Sequence, residues 1–301
     1  MSTATSSRRD FWLIVGAALS WGTVGVANQA IYAHVVTNAL SLAFFRLLVA
    51  APLFVLASRL LPSRRPFRVK LRDLVIMLLM GVMQALYQAS YSAAIAYAGV
   101  TVPTLVALCA APIIVALFST LVTRERLSLL TLIALVCALI GTFLLVEARP
   151  HTSGGGVSPL GVLFALCAGG GYAGFILCGR LLTSSYHPLH VNAVAFTMGA
   201  LLLLVLAVPT GLTLSYPLWA WLLLLYLGCV PTALAYGLFQ IGMRSLSATV
   251  VSIVTLCEPL AAALLAWIFF HEELGLLGLL GAFILLVAMA LILLFPGRKK
   301  E

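Results

Sequence analysis

Ten times along its 301 residues this chain runs through a predominantly apolar stretch of about 20 residues, the length at which a helix crosses the hydrocarbon of a bilayer. The first begins at Phe11, and the others cover roughly 38–61, 71–98, 100–123, 127–147, 159–183, 189–211, 216–243, 246–270 and 274–295. Hydrocarbon supplies no hydrogen bonds to a backbone, so continuous stretches of this length fold as helices. Arg8 and Arg9 ahead of Phe11 resemble the start of a signal peptide, but the length of the run and the spans that follow make it a first membrane helix. The remaining composition leaves no alternative solvent: 63% of residues are hydrophobic and 8% charged, too few to cover a soluble globule. The net charge of +9 does not point to nucleic acid, because the basic residues fall in short gaps between apolar runs rather than on one folded face.

Those gaps test the count of ten. With the N-terminus inside, 15 of the 17 Lys and Arg lie in inner segments, Arg149 is the basic residue of the outer loops, and Arg46 is within the second helix. Both termini are expected in the cytoplasm. Five spans per half is an odd number, so the second half enters the membrane from the opposite face, and the halves form inverted repeats. The expected divisions are a cytoplasmic tail at 1–10, a first five-helix repeat at 11–148, an external Gly/Ser-rich linker at 149–158 (RPHTSGGGVS), a second repeat at 159–295 and a basic cytoplasmic tail at 296–301. The loop over 59–72, with six basic residues, reads as a topology signal that contacts headgroups.

The repeat is visible in the residues. Residues 255–274 (TLCEPLAAALLAWIFFHEEL) superpose without gaps on 108–127 (LCAAPIIVALFSTLVTRERL), aligning Pro112 with Pro259 and Glu125 with Glu272, each proline 13 residues before its glutamate. Polar residues inside spans either join helices or line a water-accessible path. The third helix carries Gln84, Tyr87, Gln88 and Tyr91 on one face, the eighth Tyr236 and Gln240 just after Pro231, the first Trp21, Gly25 and Asn28, and the sixth Tyr172 among Gly169, Gly170, Gly171 and Gly174. The ninth carries Thr249, Ser252, Thr255 and Glu258 at threefold spacing. Tyr97, Tyr216 and Trp219, near span ends, read as headgroup-belt aromatics. Trp21, Tyr87, Tyr91, Tyr172 and Tyr236 read as the lining of a cavity between the halves, suited to an aromatic or amphipathic small molecule. The glycines of the sixth helix read as close-packing residues.

Two ionisable residues lie deep. Glu258 is mid-helix, and Pro259 after it removes a backbone hydrogen bond; Arg46 is eight residues in from the outer end of its helix. Either is a fixed structural group, or the two form a pair, or Glu258 binds a substrate ammonium or carries a proton. Glu125 and Glu272 read as carboxylates at the positive ends of the helices that follow. No nucleotide loop, zincin or nucleophile-elbow motif is present, the five histidines fall in loops or at span ends, and the six cysteines show no metal spacing. No metal, cofactor, nucleotide or nucleic acid is expected.

The pattern resembles the drug/metabolite transporter superfamily, EamA type, and within it the bacterial aromatic amino acid exporters. Trp21-Gly22, Arg46, Pro112 with Glu125, and Glu258-Pro259 with Glu272 carry the resemblance, which covers about 11–295; Ala111 stands where the second half has Glu258. It implies an all-α membrane protein of ten helices in two inverted EamA repeats around a basket-like cavity, with helices one, three, four, six, eight and nine nearest it. The expectation is a monomeric multi-pass carrier of the bacterial cytoplasmic membrane that exports aromatic amino acids by alternating access. The substrate ring would lie among Trp21, Tyr87, Tyr91, Tyr172 and Tyr236, and its polar end would meet Gln84, Gln88, Gln240 or Asn28. One alternative is a proton-coupled exporter of cationic drugs using Glu258; a remote one is a membrane-embedded enzyme built on His271, Glu272 and Glu273.

Overall fold

Backbone that must satisfy its own hydrogen bonds does so here with helices alone among the described residues. The structure, a computed structural model, describes residues 2–60, 69–98, 101–122, 128–147, 158–182, 185–270 and 275–294. In chain order the helices are α1 (Ser2–His34), α2 (Ala39–Leu60), α3 (Leu71–Ala98), α4 (Thr101–Val122), α5 (Leu129–Glu147), α6 (Pro159–Leu182), α7 (Pro188–Ala207), α8 (Leu218–Gly228), α9 (Ala235–Gly242), α10 (Ala248–Val254), α11 (Cys257–Phe270) and α12 (Leu276–Leu294). Nine of the expected spans are long and apolar enough to cross a membrane, with α8–α9 and α10–α11 each making one of them. The tenth, Leu129–Leu145 in α5, is shorter, and at 1.5 Å per residue reaches about 26 Å, the lower limit for a span. α1 begins at Ser2, so residues 2–10 are helical and run straight into the first span. Glu125, Glu272, the linker over 149–157, most of the basic loop and the C-terminal tail lie outside the described residues.

Prolines shape the two composite spans differently. Pro231 has no N–H to give the Leu227 carbonyl, and the Thr232 hydroxyl donates to that carbonyl instead, at 2.7 Å. The chain widens there into a π-helical turn over Cys229–Leu234 before α9 resumes. At Pro259 the helix breaks: α10 ends at Val254, and Glu258 N–H closes a tight turn on the Thr255 carbonyl at 3.0 Å. The hydroxyls of Ser252 and Thr255 donate to the carbonyls three residues back, so much of the polar face expected on this span serves the span itself. Pro112, the repeat counterpart of Pro259, lies inside an unbroken α4.

Most helix packing runs between α1–α5 and α6–α12 rather than within them. α1 packs on α9 and α11 as α6 packs on α3 and α4; α2 packs on α8 as α7 packs on α3; α2 meets α7, and α5 meets α12. These pairs keep their pattern when the two halves are exchanged helix for helix. Counterpart helices cross antiparallel: a Cβ on Gly141 would lie 2.8 Å from the Leu285 nitrogen, and one on Gly281 2.6 Å from the Leu145 nitrogen. Only glycine allows α5 and α12 to touch there, the small-residue packing that joins helices in lipid. α2 and α7 follow suit, Phe54 meeting Phe196 while Ser41 meets Thr213 beyond the α7 C-terminus. Two sets of polar ties close the ends of the bundle. At one, Thr37 and Tyr216 hydroxyls lie 2.6 Å apart and Asn38 donates to Gly211. At the other, Arg180 donates to the Met243 carbonyl at 2.8 Å, and Tyr186 donates to Asp73 at 2.7 Å, a bond that raises the Tyr186 phenol above its ordinary pKa.

Candidate functional site

Five aromatic side chains from four helices, α1, α3, α6 and α9, meet in one line. Trp21 on α1 packs 4.9 Å from Tyr236 on α9 and 6.3 Å from Tyr172 on α6; Tyr172 lies 5.5 Å from Tyr87 on α3, and Tyr87 stacks on Tyr91 at 6.0 Å. The i, i+4 spacing on α3 sets the last pair. Gly171 brings α6 against α3, since a Cβ there would lie 2.8 Å from the Tyr87 nitrogen, so the sixth-helix glycines pack helices as the sequence implies. Gly22 does the same for α1 against α11, where a Cβ would stand 3.1 Å from the Glu258 carbonyl. Tyr91 shares a hydrogen bond with Thr104. At the Trp21–Tyr236 end the rings close on one another, leaving Trp21 6% and Tyr236 3% exposed.

Buried polar atoms edge this line of rings. Gln84 is fully buried; its amide nitrogen donates to the Tyr236 hydroxyl at 3.1 Å, and its carbonyl oxygen has no partner among the described residues. Among the described residues Trp21 Nε1 is likewise buried without an acceptor, and the Asn28 carbonyl oxygen without a donor. A buried polar atom left unpaired costs about 1–3 kcal/mol, so a donor and an acceptor flanking the same tyrosine form a place where a polar ligand would be held.

Arg46 on α2 and Glu258 on α11 are the two ionisable residues expected deep in the spans. Arg46 is 8% exposed, and its Nε donates to the Thr232 hydroxyl at 3.3 Å, the same hydroxyl that caps Leu227. Glu258 is partly exposed at the head of α11. The two make no ion pair: among the described residues, the recorded pair is Arg9 with Asp10.

Not every expected residue joins. Gln240 is buried against α6 and α3, its amide nitrogen 3.8 Å from the Met80 sulfur and its side chain filling the space above Gly179. Gln88 is buried on the α3 face, and Asn28 sits two turns along α1 from Trp21. Pro112 and Pro259 are buried packing residues. Tyr216 is not a belt residue: it is 8% exposed, tied to Thr37 and packed on Phe45 and Trp221, whereas Tyr97 and Trp219 are exposed. Sequence reasoning missed Asn192 and Thr232. Asn192 donates to the Tyr236 carbonyl at 3.2 Å from a fully buried position, and its signal was a lone amide in the apolar run of α7. It also missed the wall of Phe175, Phe196 and Phe239 around Tyr236, which carries no polar signal.

The model of the EamA-like transporter family matches residues 10–147 and again residues 159–294. YwfM, an uncharacterized transporter of Bacillus subtilis, is 31% identical over 293 residues, which cover 94% of this chain and 93% of its own. An uncharacterized transporter of Archaeoglobus fulgidus is 31% identical over 276 residues, 92% and 93% of the two chains. The uncharacterized inner membrane transporter YicL of Salmonella typhimurium is 28% identical over 98% of each. A protein of known crystal structure, 18% identical, superposes with a TM-score of 0.79 over 97% of this chain and 99% of its own, a likeness of fold.

Proposed function

This chain belongs to the EamA-like transporter family, and from that premise we propose that it exports small amphipathic metabolites, aromatic amino acids foremost, across the cytoplasmic membrane. It is a multi-pass membrane transporter of the drug/metabolite type and not an enzyme, which removes the membrane-enzyme alternative. The reading has two inverted repeats, divided at 149–158, that expose one central site alternately to each side while both termini stay in the cytoplasm. The antiparallel crossing of counterpart helices and their exchange-invariant packing support the inverted relation. The Salmonella relative is named an inner membrane transporter, which supports that membrane here.

One observation carries the substrate reading: the line of rings from Tyr236 through Trp21, Tyr172 and Tyr87 to Tyr91, flanked by the unpartnered Trp21 Nε1 and Gln84 carbonyl oxygen. Ring-on-ring contacts of this kind add about 0.5–1.5 kcal/mol each beyond burial, which favours an aromatic ligand over an aliphatic one of equal size. The Glu258 alternative, proton-driven export of cationic drugs, rests on a carboxylate in the span without an ion pair.

Efflux from proteoliposomes loaded with labelled tryptophan, phenylalanine, threonine or a cationic dye, with and without a pH gradient, separates the two. Export of the aromatic amino acids that ignores the gradient supports the first. Dye movement that requires the gradient, and that Glu258→Gln abolishes, replaces it with the second.

A further inference from the structure

A glycine inside a helix weakens it relative to alanine, so it calls for a use of the missing side chain. At Gly22 on α1 the use is close packing, since a Cβ there would lie 2.6 Å from that of Ala261 on α11. Gly16 and Gly25, on the same helix, differ: a Cβ on either would meet no neighbouring atom within 4 Å. Gly16 faces lipid, for it lies four residues from Trp12 and three from Leu19, which are 60% and 48% exposed. Gly25 is nine residues from Gly16, two and a half turns, and so looks the opposite way. It shares its face with Trp21, four residues before it, which packs on Tyr172 and Tyr236 in the interior. Gly25 is nevertheless exposed, while Gly22 and Ile31 to either side of its face are buried. An exposed position between two packed strips on the interior face of a span borders a niche between helices. Trp21 closes that niche on one side. Asn28 and Tyr32 continue the face toward the α1 C-terminus, and Tyr32 is 44% exposed. Helical side chains lean toward the helix N-terminus, which brings Asn28 over Gly25, and the Asn28 carbonyl oxygen is buried without a donor among the described residues. Beyond Trp21 in the other direction the bundle is filled: a Cβ on Gly242 would touch Ile14, and every residue of α10 is buried. The niche therefore leads toward the His34 end of α1, nine residues or about 14 Å from Gly25.

We propose that the space over Gly25 is an exit-side binding niche for the exported metabolite: an N–H of the metabolite donates to the Asn28 carbonyl oxygen, and its apolar part takes the room that a side chain at position 25 would fill. The proposal rests on the export reading, with the N-terminus of α1 in the cytoplasm, and deepens it by adding a station between the line of rings and the outside. The ligand class follows from the two halves of the niche. An amine or amino acid with an apolar side chain fills the space and pairs the buried oxygen, whereas a carboxylate without an N–H leaves that oxygen unpaired.

The test has two arms on the full chain. In the first, the native cysteines are replaced and intact cells are treated with a membrane-impermeant thiosulfonate. Gly25→Cys should react at least about tenfold faster than Gly16→Cys, because a thiol facing lipid does not ionise. Phenylalanine and phenethylamine should slow the reaction at Gly25→Cys, and 3-phenylpropionate, which has no N–H, should not. Adding Asn28→Leu should raise the phenylalanine concentration needed for protection about tenfold, the worth of one buried hydrogen bond. In the second arm, Gly25→Leu in the otherwise native chain should lower phenylalanine efflux from proteoliposomes at least about tenfold at an unchanged thermal midpoint, since the new side chain enters open space. Gly16→Leu should export like wild type. Wild-type efflux by Gly25→Leu, or a Gly25→Cys no more reactive than Gly16→Cys, overturns the niche while phenylalanine export stands. Protection by phenethylamine in a chain that exports no phenylalanine upholds the niche and overturns the aromatic amino acid reading. Reaction at Gly25→Cys that none of the three compounds slows overturns the niche as a binding site, whatever wild-type efflux shows.

Discussion

Trp21 is where the chemistry of the site condenses onto one side chain. Its ring is held by Tyr236 at 4.9 Å and Phe239 at 5.4 Å, while its Nε1 has nothing to donate to. Trp21→Phe keeps a ring in that packing and removes the donor. If the indole N–H bonds substrate, the variant should transport with a half-saturation raised about tenfold, the worth of one buried hydrogen bond, at unchanged thermal stability in detergent. Wild-type half-saturation would make the N–H a bystander. The aromatic members of the site were legible in the sequence because hydrocarbon makes a mid-span Tyr, Trp or Gln conspicuous, and their helical spacing told which of them share a face. What the sequence could not show was partnership across helices. Gln240 looks like Gln84 in the sequence, yet one fills a packing gap above Gly179 and the other holds the Tyr236 hydroxyl. Asn192 reaches Tyr236 from a helix whose other polar residues, His190 and Thr197, are not spaced to share a face with it.

Among the elements, the spans themselves were legible from length alone, and the positions of their prolines were too. The response to each proline was not. Pro112 passes through a continuous helix, Pro259 accompanies a break and Pro231 a π-turn, because the outcome depends on whether a neighbouring hydroxyl, a tight turn or nothing takes the freed carbonyl. At Pro231 that neighbour is Thr232, and it serves two masters: it caps Leu227 and accepts from Arg46. Thr232→Val keeps the shape and removes the hydroxyl, leaving a buried carbonyl and a buried guanidinium nitrogen unpaired. The expected cost is about 1–3 kcal/mol, read as a lowered thermal midpoint of the solubilised protein. Thr232→Ser, which retains the hydroxyl, should recover most of it. A Val variant as stable as wild type would show that the π-turn holds without its cap.

For the whole molecule, the two halves interlock so thoroughly that neither has a core of its own: α1 lies against α9 and α11, and α6 against α3 and α4. A carrier assembled this way cannot open by pulling the halves apart, since that would strip most helices of their neighbours. On the alternating-access reading proposed above it opens at one end while the other stays shut, and both ends are tied here. At the end holding the N-terminus of α2, the Thr213 amide donates to the Ser41 hydroxyl at 3.1 Å. At the opposite end, a Cβ on Gly242 would stand 2.7 Å from an Ile14 side-chain carbon, so α1 and α9 touch. Residues in such direct contact are the places to introduce a cross-link, and the native cysteines can first be replaced. In that background Ser41→Cys with Thr213→Cys, and separately Ile14→Cys with Gly242→Cys, should each block efflux when oxidised and recover it on reduction, because alternating access requires each end to part in turn. Should both oxidised proteins export at the reduced rate, neither end separates during transport, and substrate passes by a route that does not use the ends of α1, α2 and α9 as gates.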